Sequence, residues 1–304
     1  MKKTLFLALA GSTCLAAVAP AQTVVYTDNF NRAALNGGTS AYTVTASAGD
    51  GGASINAAQG LELTNDATAA TNAAGRVSVA TATTAFPGFS PTLNANAAGS
   101  QVVWTFNLRF GRTANTPSGF AAANYSNAFV LGATGADFSA AGTSGYALLF
   151  GNTGSPDTFR LVSFTNGLTS DITAAGATGN PFIVGTGAFA VTTQAASNDY
   201  YSFQIAYSVS DSTWTLRGRD DGATGFADPS TGAFTTVGTA ANTDATGAAL
   251  NYLGAFWNYS TAANQTTQFD NFSVAVVPEP STYALLCLAG AGLFLAVRRR
   301  TVRG

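Results

Sequence analysis

Between residues 22 and 277, apolar positions recur with a period of two and are separated by clusters of Gly, Asn, Asp, Ser and Thr. A period of two places alternate side chains on opposite faces of an extended chain, so the pattern predicts strands and turns rather than helices. It is clearest from Gln101 to Phe110, where Val102, Trp104, Phe106, Leu108 and Phe110 share one face. From Tyr200 to Ser210 the shared face holds Tyr201, Phe203, Ile205, Tyr207 and Val209. That segment turns through Asp211-Ser212 into Thr213–Arg219, where Trp214 and Leu216 alternate with polar residues, so the pair reads as a β-hairpin. Val24–Asp28, Arg76–Ala80, Ala128–Leu131, Tyr146–Phe150, Phe159–Phe164, Leu250–Trp257 and Gln268–Val276 are further strands. Around ten to twelve strands predict an all-β, antiparallel two-layer sandwich, because one open sheet would leave a face of every strand wet. The tryptophans at 104, 214 and 257 fall on apolar alternations and are expected in the core. Long loops are expected at 33–60, 133–145 and 174–179, none long enough to divide the body in two.

Composition changes this picture mainly by exclusion. Of the 304 residues only 9% are charged and 46% are apolar, which leaves ample material for a core. No histidine occurs anywhere, so His-based triads, bases and metal ligands are ruled out. The two cysteines, Cys14 and Cys287, both lie outside the body, in the apolar runs near the two ends. Within 22–277, thirteen Asp and Glu62 face seven Arg and no Lys, so 14 − 7 gives a net charge near −7. That balance disfavours nucleic acid and anionic membrane as partners of the body.

The two ends read as addresses. Lys2-Lys3, an apolar run from Leu5 to Val18 and then Ala19-Pro20-Ala21-Gln22 have the three parts of a secretory signal peptide over 1–21. Ala19 and Ala21 form its cleavage site, cut by signal peptidase after Ala21. At the other end, Pro278-Glu279-Pro280 breaks any strand or helix, an uncharged run from Tyr283 to Val297 follows, and Arg298, Arg299 and Arg300 come next. As a helix the fifteen-residue run spans roughly 22 Å, short for a bilayer core. The arginines, as a positive-inside stop, favour one short membrane helix with the body outside.

This order of motif, short helix and arginine tail resembles the PEP-CTERM sorting signal. The resemblance implies a Gram-negative exported protein, handled by an exosortase and associated with cell-surface or extracellular polysaccharide, as in a biofilm matrix. Pro278, Glu279 and Pro280 would be the recognition motif, and Arg298–Arg300 the cytoplasmic stop. It implies three segments: signal peptide 1–21, extracytoplasmic sandwich 22–277 and sorting tail 278–304. The protein would pass through an inner-membrane-tethered intermediate to the cell surface or matrix.

Asp28-Asn29-Phe30 and Asp270-Asn271-Phe272 repeat one tripeptide near the two ends of the body. They are similar to the first and last strands of concanavalin-A-like jelly rolls, whose termini pair in one sheet. Alternatively, aromatic-flanked Asp-Asn pairs simply mark strand ends. A jelly-roll glycosidase of the laminarinase type carries Glu-x-Asp-x-x-Glu on one strand, and with Glu62 as its single glutamate this body lacks it. Asp199, Asp211, Asp220 and Asp221 cluster in sequence, but next to Gly, Ser and Asn they read as solvated turn residues with nothing to raise a pKa. Calcium is permitted, through Asp28, Asp220, Asp221 or Asp270 with loop carbonyls, but no motif calls for it or for any other cofactor. The expectation is therefore a non-catalytic, exosortase-sorted surface or matrix protein, glycan-binding or structural. The alternative is a secreted polysaccharide-acting enzyme that uses aspartates.

Overall fold

In the computed structural model, the residues described are 22–38, 40–47, 51–65, 74–111, 118–120, 124–151, 157–169, 179–191, 198–261 and 266–278. Residues 1–21, where a signal peptide is expected, and the tail from Glu279 onward, with Pro280, the expected membrane helix and Arg298–Arg300, lie outside them. The described residues form sixteen strands: β1 (Thr23–Asp28), β2 (Tyr42–Ala46), β3 (Gly52–Ile55), β4 (Leu61–Thr64), β5 (Gly75–Ala82), β6 (Ser100–Arg109), β7 (Ser126–Ala133), β8 (Gly145–Phe150), β9 (Asp157–Phe164), β10 (Gly179–Val184), β11 (Ala190–Val191), β12 (Tyr200–Ser208), β13 (Thr213–Gly222), β14 (Thr235–Ala241), β15 (Tyr252–Tyr259) and β16 (Thr266–Pro278).

These strands make two antiparallel sheets. The first runs β14-β13-β12-β6-β16-β4-β3, with β1 also on β16; the second runs β10-β9-β8-β7-β15-β5-β2, with β11 also on β9. The alternation in β6 and β12 is realised as read: Val102, Trp104, Phe106, Leu108, Tyr201, Phe203, Ile205 and Tyr207 are all buried between the sheets. All three tryptophans are buried, as expected. Trp104 stacks on Trp214, and Phe106 reaches across to stack on Phe129 of the second sheet with centroids 3.7 Å apart. Each such ring, fully withdrawn from water, contributes about 1.5–3 kcal/mol.

The long loop expected over 33–60 is corrected, because it contains β2 and β3. Both are short and rich in Thr, Ala, Gly and Ser, and they are held as edge strands by β5 and β4. The 133–145 segment is indeed a turn region between β7 and β8. Residues 174–178 lie outside the described ones, and Gly179 begins β10.

The two Asp-Asn-Phe tripeptides meet. β1 pairs antiparallel with β16, and Asp28 stands opposite Phe272. The rings of Phe30 and Phe272 pack edge to face at 4.9 Å. The first and last strands of the body are therefore neighbours in one sheet, as the jelly-roll resemblance implied.

Candidate functional site: a latched polar cleft on the outward face of the first sheet

Each tripeptide builds a tight turn that its own aspartate holds. Phe30 and Asn271 adopt φ of 53° and 51°, a left-handed backbone that asparagine tolerates and that is strained for phenylalanine. The Phe30 amide donates to Asp28 Oδ1 at 2.8 Å, and the Asn271 amide donates to Asp270 Oδ1 at 2.7 Å. Between Asp270 and Ser273, β16 has one more residue than the facing stretch of β6, whose Asn107 and Thr105 are their partners, so the strand bulges there. The bulge turns Asn271 toward the outward face, where its Nδ2 donates to Asn107 Oδ1 at 2.8 Å.

From Asn107 a polar chain crosses the sheet. Asn107 Nδ2 donates to Ser202 Oγ at 2.8 Å, and the Ser202 hydroxyl donates to Asp221 Oδ2 at 2.6 Å. Arg219 Nε donates to Asp221 Oδ1 at 2.6 Å. Asn107 and Ser202 are fully buried although they sit on the outward face, because the β13–β14 connection folds back over them. This strap is latched through its backbone: the Ala227 carbonyl accepts from Asn107, the Ala227 amide donates to Asp221, and Arg219 donates to the carbonyls of Asp228 and Thr231. Between the strap at Asp228–Ser230, the bulge at Asn271 and the loop that follows β1 lies a cleft of about 570 Å³.

The acids divide by what holds them. Asp28 accepts four donors, from the Phe30 amide, both terminal nitrogens of Arg32 and the Tyr42 hydroxyl, so both of its oxygens are engaged. Burial pushes the Tyr42 hydroxyl far up, which keeps it a donor. Asp220 accepts from the Gly222 amide at 2.8 Å, the turn role expected of it. Asp221 departs from expectation: its side chain is 2% exposed, and it is the anchor of the strap rather than a solvated turn residue. Asp211 accepts from the Thr213 amide and is held low, first by the Ser208 hydroxyl. The expectation that nothing raises these acids is also corrected. Burial raises Asp199, helped by Asp220 and opposed by Arg109. Asp270, outside the sequence cluster, is pushed up to about 6, first by burial and then by the nearby Asp28 carboxylate, against the pull of the Asn271 amide. Glu62 accepts from Gln268 Nε2 on the neighbouring strand.

Among the described residues, no three His, Cys, Asp or Glu side chains come together. The aspartates that the sequence permitted as calcium ligands are engaged in Asx turns (Asp220 and Asp270), an ion pair (Asp28) and the strap latch (Asp221). Of the sorting-signal residues, Pro278 is placed, at the end of β16 opposite Ser100. Asn107, Ser202 and Arg219 escaped sequence reading, since each is one polar position in a regular alternation.

Among solved structures, the chain is similar to a Lotus tetragonolobus seed lectin (12% identity, 84% of this chain and 100% of that one, TM-score 0.49). It is similar also to lectin II from Ulex europaeus (13%, 84% and 99%, 0.47). An engineered GH43 glycoside hydrolase matches over less of its length (16%, 71% and 34%, 0.35). No curated protein matches the chain. Residues 276–300 match the PEP-CTERM protein-sorting motif, so this chain carries that signal directly on the end of β16.

Proposed function

We propose that this protein is exported from a Gram-negative cell, sorted through its tail by an exosortase, and displayed at the cell surface or in the extracellular matrix as a non-catalytic, glycan-binding sandwich. The observation that carries the reading is the sorting motif over 276–300, which begins inside β16 and leaves the body at a defined point. In this reading signal peptidase cuts after Ala21, Pro278-Glu279-Pro280 is recognised, and Arg298–Arg300 hold the short helix until processing. The body from 22 to 277 then remains outside. Its latched cleft offers carbonyls, amides and hydroxyls, the groups that bind sugar hydroxyls.

Asp270 favours the enzymatic alternative, since a carboxyl with a pKa near 6 suits a general acid. Glycoside hydrolysis needs a second, available carboxylate, however, and the nearby Asp28 is fully engaged by four donors. Two measurements test the whole reading. Removing 279–304 leaves β16 intact and should change the final location of a doubly tagged protein on fractionation; an unchanged location would sink the sorting reading. The full chain should release no reducing ends from glucans, galactans or uronates between about pH 4 and 8, where any glycosidase carboxyl pair titrates. Turnover lost in Asp270→Asn would promote the enzyme.

A further inference from the structure

Three clefts on the outward face of the first sheet run into one another. Ser230 of the strap borders the first and the third, while Gln204 and Arg217 border the second and the third. Along them lies one row of side chains in register from strand to strand. Thr27 of β1 faces Ser273 of β16, Ser273 faces Thr105 of β6, and Thr105 faces Gln204 of β12. Gln204 in turn faces Arg217 of β13, and Arg217 faces Thr236 of β14. Six adjacent strands each place one polar side chain in the row, Thr105 buried at its floor and the other five half-buried or exposed; spaced about 4.8 Å apart, they make a row roughly 24 Å long. The fold does not by itself require this polarity, because Val130, Leu149, Val162 and Phe256 at outward positions of the second sheet form an apolar cluster.

A row of this kind is a linear array of hydrogen-bonding groups with a fixed repeat. That repeat is close to the advance per unit of an extended pyranose polymer, so a glycan laid across the strands meets one polar side chain per sugar. Charge narrows the class. Arg217 is exposed and donates to Gln204 Oε1 at 2.9 Å, but Asp211 and Asp228 border the same clefts and are both held low, hence ionised. With the body near −7, no surplus of positive charge is present to hold uronates or sulfates. Phe234, half-buried beside Gln204 and Arg217, adds an aromatic ring for the apolar face of a sugar.

We propose that this row binds an extended, uncharged polysaccharide that crosses the strands from β1 to β14. The proposal rests on the glycan-binding reading above and adds where the chain lies and what charge it carries. The full chain, purified in detergent, is titrated calorimetrically with length series of neutral β-glucan, mannan and galactan, and with a polyuronate. For at least one neutral series, affinity should rise with length until the oligomer covers the row, at about six units for one sugar per polar side chain. Gln204→Ala and Arg217→Ala should each weaken that binding about five- to tenfold at unchanged melting temperature, whereas Thr43→Ala on the opposite sheet should not. Preference for the polyuronate would overturn the charge assignment while leaving glycan binding intact. Neutral glycan bound at full strength by both variants would overturn the site alone. Binding of none of them would bring down the glycan reading and this one together, without touching the sorting reading, which fractionation tests.

Discussion

On the second sheet the outward side chains Val130, Leu149, Val162 and Phe256 are buried in a second apolar cluster, closed from outside by Phe120, Phe138 and Leu168 from the connecting loops. On the first sheet the corresponding face carries Gln204, Thr215, Arg217 and Ser273, half-buried or exposed, while the latch beneath the strap and the smaller Val103, Thr105 and Ala275 are withdrawn from water. Both sheets share the same inner core, so the difference lies in what the loops do. Loops of the second sheet bring single large apolar residues and seal it: the Phe138 amide donates to Ser78 Oγ, and the Leu168 amide donates to the Phe138 carbonyl. The strap of the first sheet brings backbone polar groups and leaves clefts on either side. A sandwich with one sealed and one wet face keeps its stability in the first and frees the second for contact.

The contrast can be broken from either side. Phe256→Ala, in the sealed cluster, should cost about 3–5 kcal/mol in urea unfolding, because a large ring leaves a cavity among strand side chains that cannot collapse; a loss below about 1 kcal/mol would mean that the seal is loose. Arg219→Ala should cost about 2–3 kcal/mol, since the buried Asp221 carboxylate keeps only its Ser202 and Ala227 donors. It should also expose the strap to limited proteolysis.

Asp270 gives a smaller effect with a definite sign. The folded chain holds its proton up to about pH 6, whereas the unfolded chain releases it near 3.9. Stability therefore falls as pH rises from about 4 to 6, by about 1–2 kcal/mol after allowance for partial exposure. Asp270→Asn should remove that slope in melts across the window. Smallest of all, Thr215→Ala on the wet face should stay within about 0.5 kcal/mol of the parent, and a larger loss would show hidden burial there.

The inner faces of β6, β12 and β13 were legible because long alternations with aromatic residues admit one reading. β2, β3 and β14 were not: they are built mostly from Thr, Ala, Gly, Ser and Val in runs as polar as the turns around them, and partner strands rather than their own pattern hold them, while β10 is a short apolar run broken by Pro181. The second apolar cluster left a trace in the near-continuous apolar runs of β7 and β8, the mark of strands covered on both faces. Its lids, Phe120, Phe138 and Leu168, are isolated residues in Gly-, Ala- and Ser-rich loops and carry no periodicity. Of the site, the Asp-Asn-Phe pair was visible as a repeat, whereas Asp221 looked like turn chemistry because the strap that buries it returns only through tertiary structure.

The position of β16 has a mechanical consequence. It lies inside the first sheet, bonded along one edge to β6 and along the other to β4 and then β1, and Pro278 still stands in register with Ser100. A pull applied through the residues that follow Pro278 acts along the strand axis and loads both flanking ladders in shear, many bonds at once, instead of peeling them apart one by one. A chain tugged by its tail thus transmits force into the middle of the sheet, where resistance to rupture is shared most widely.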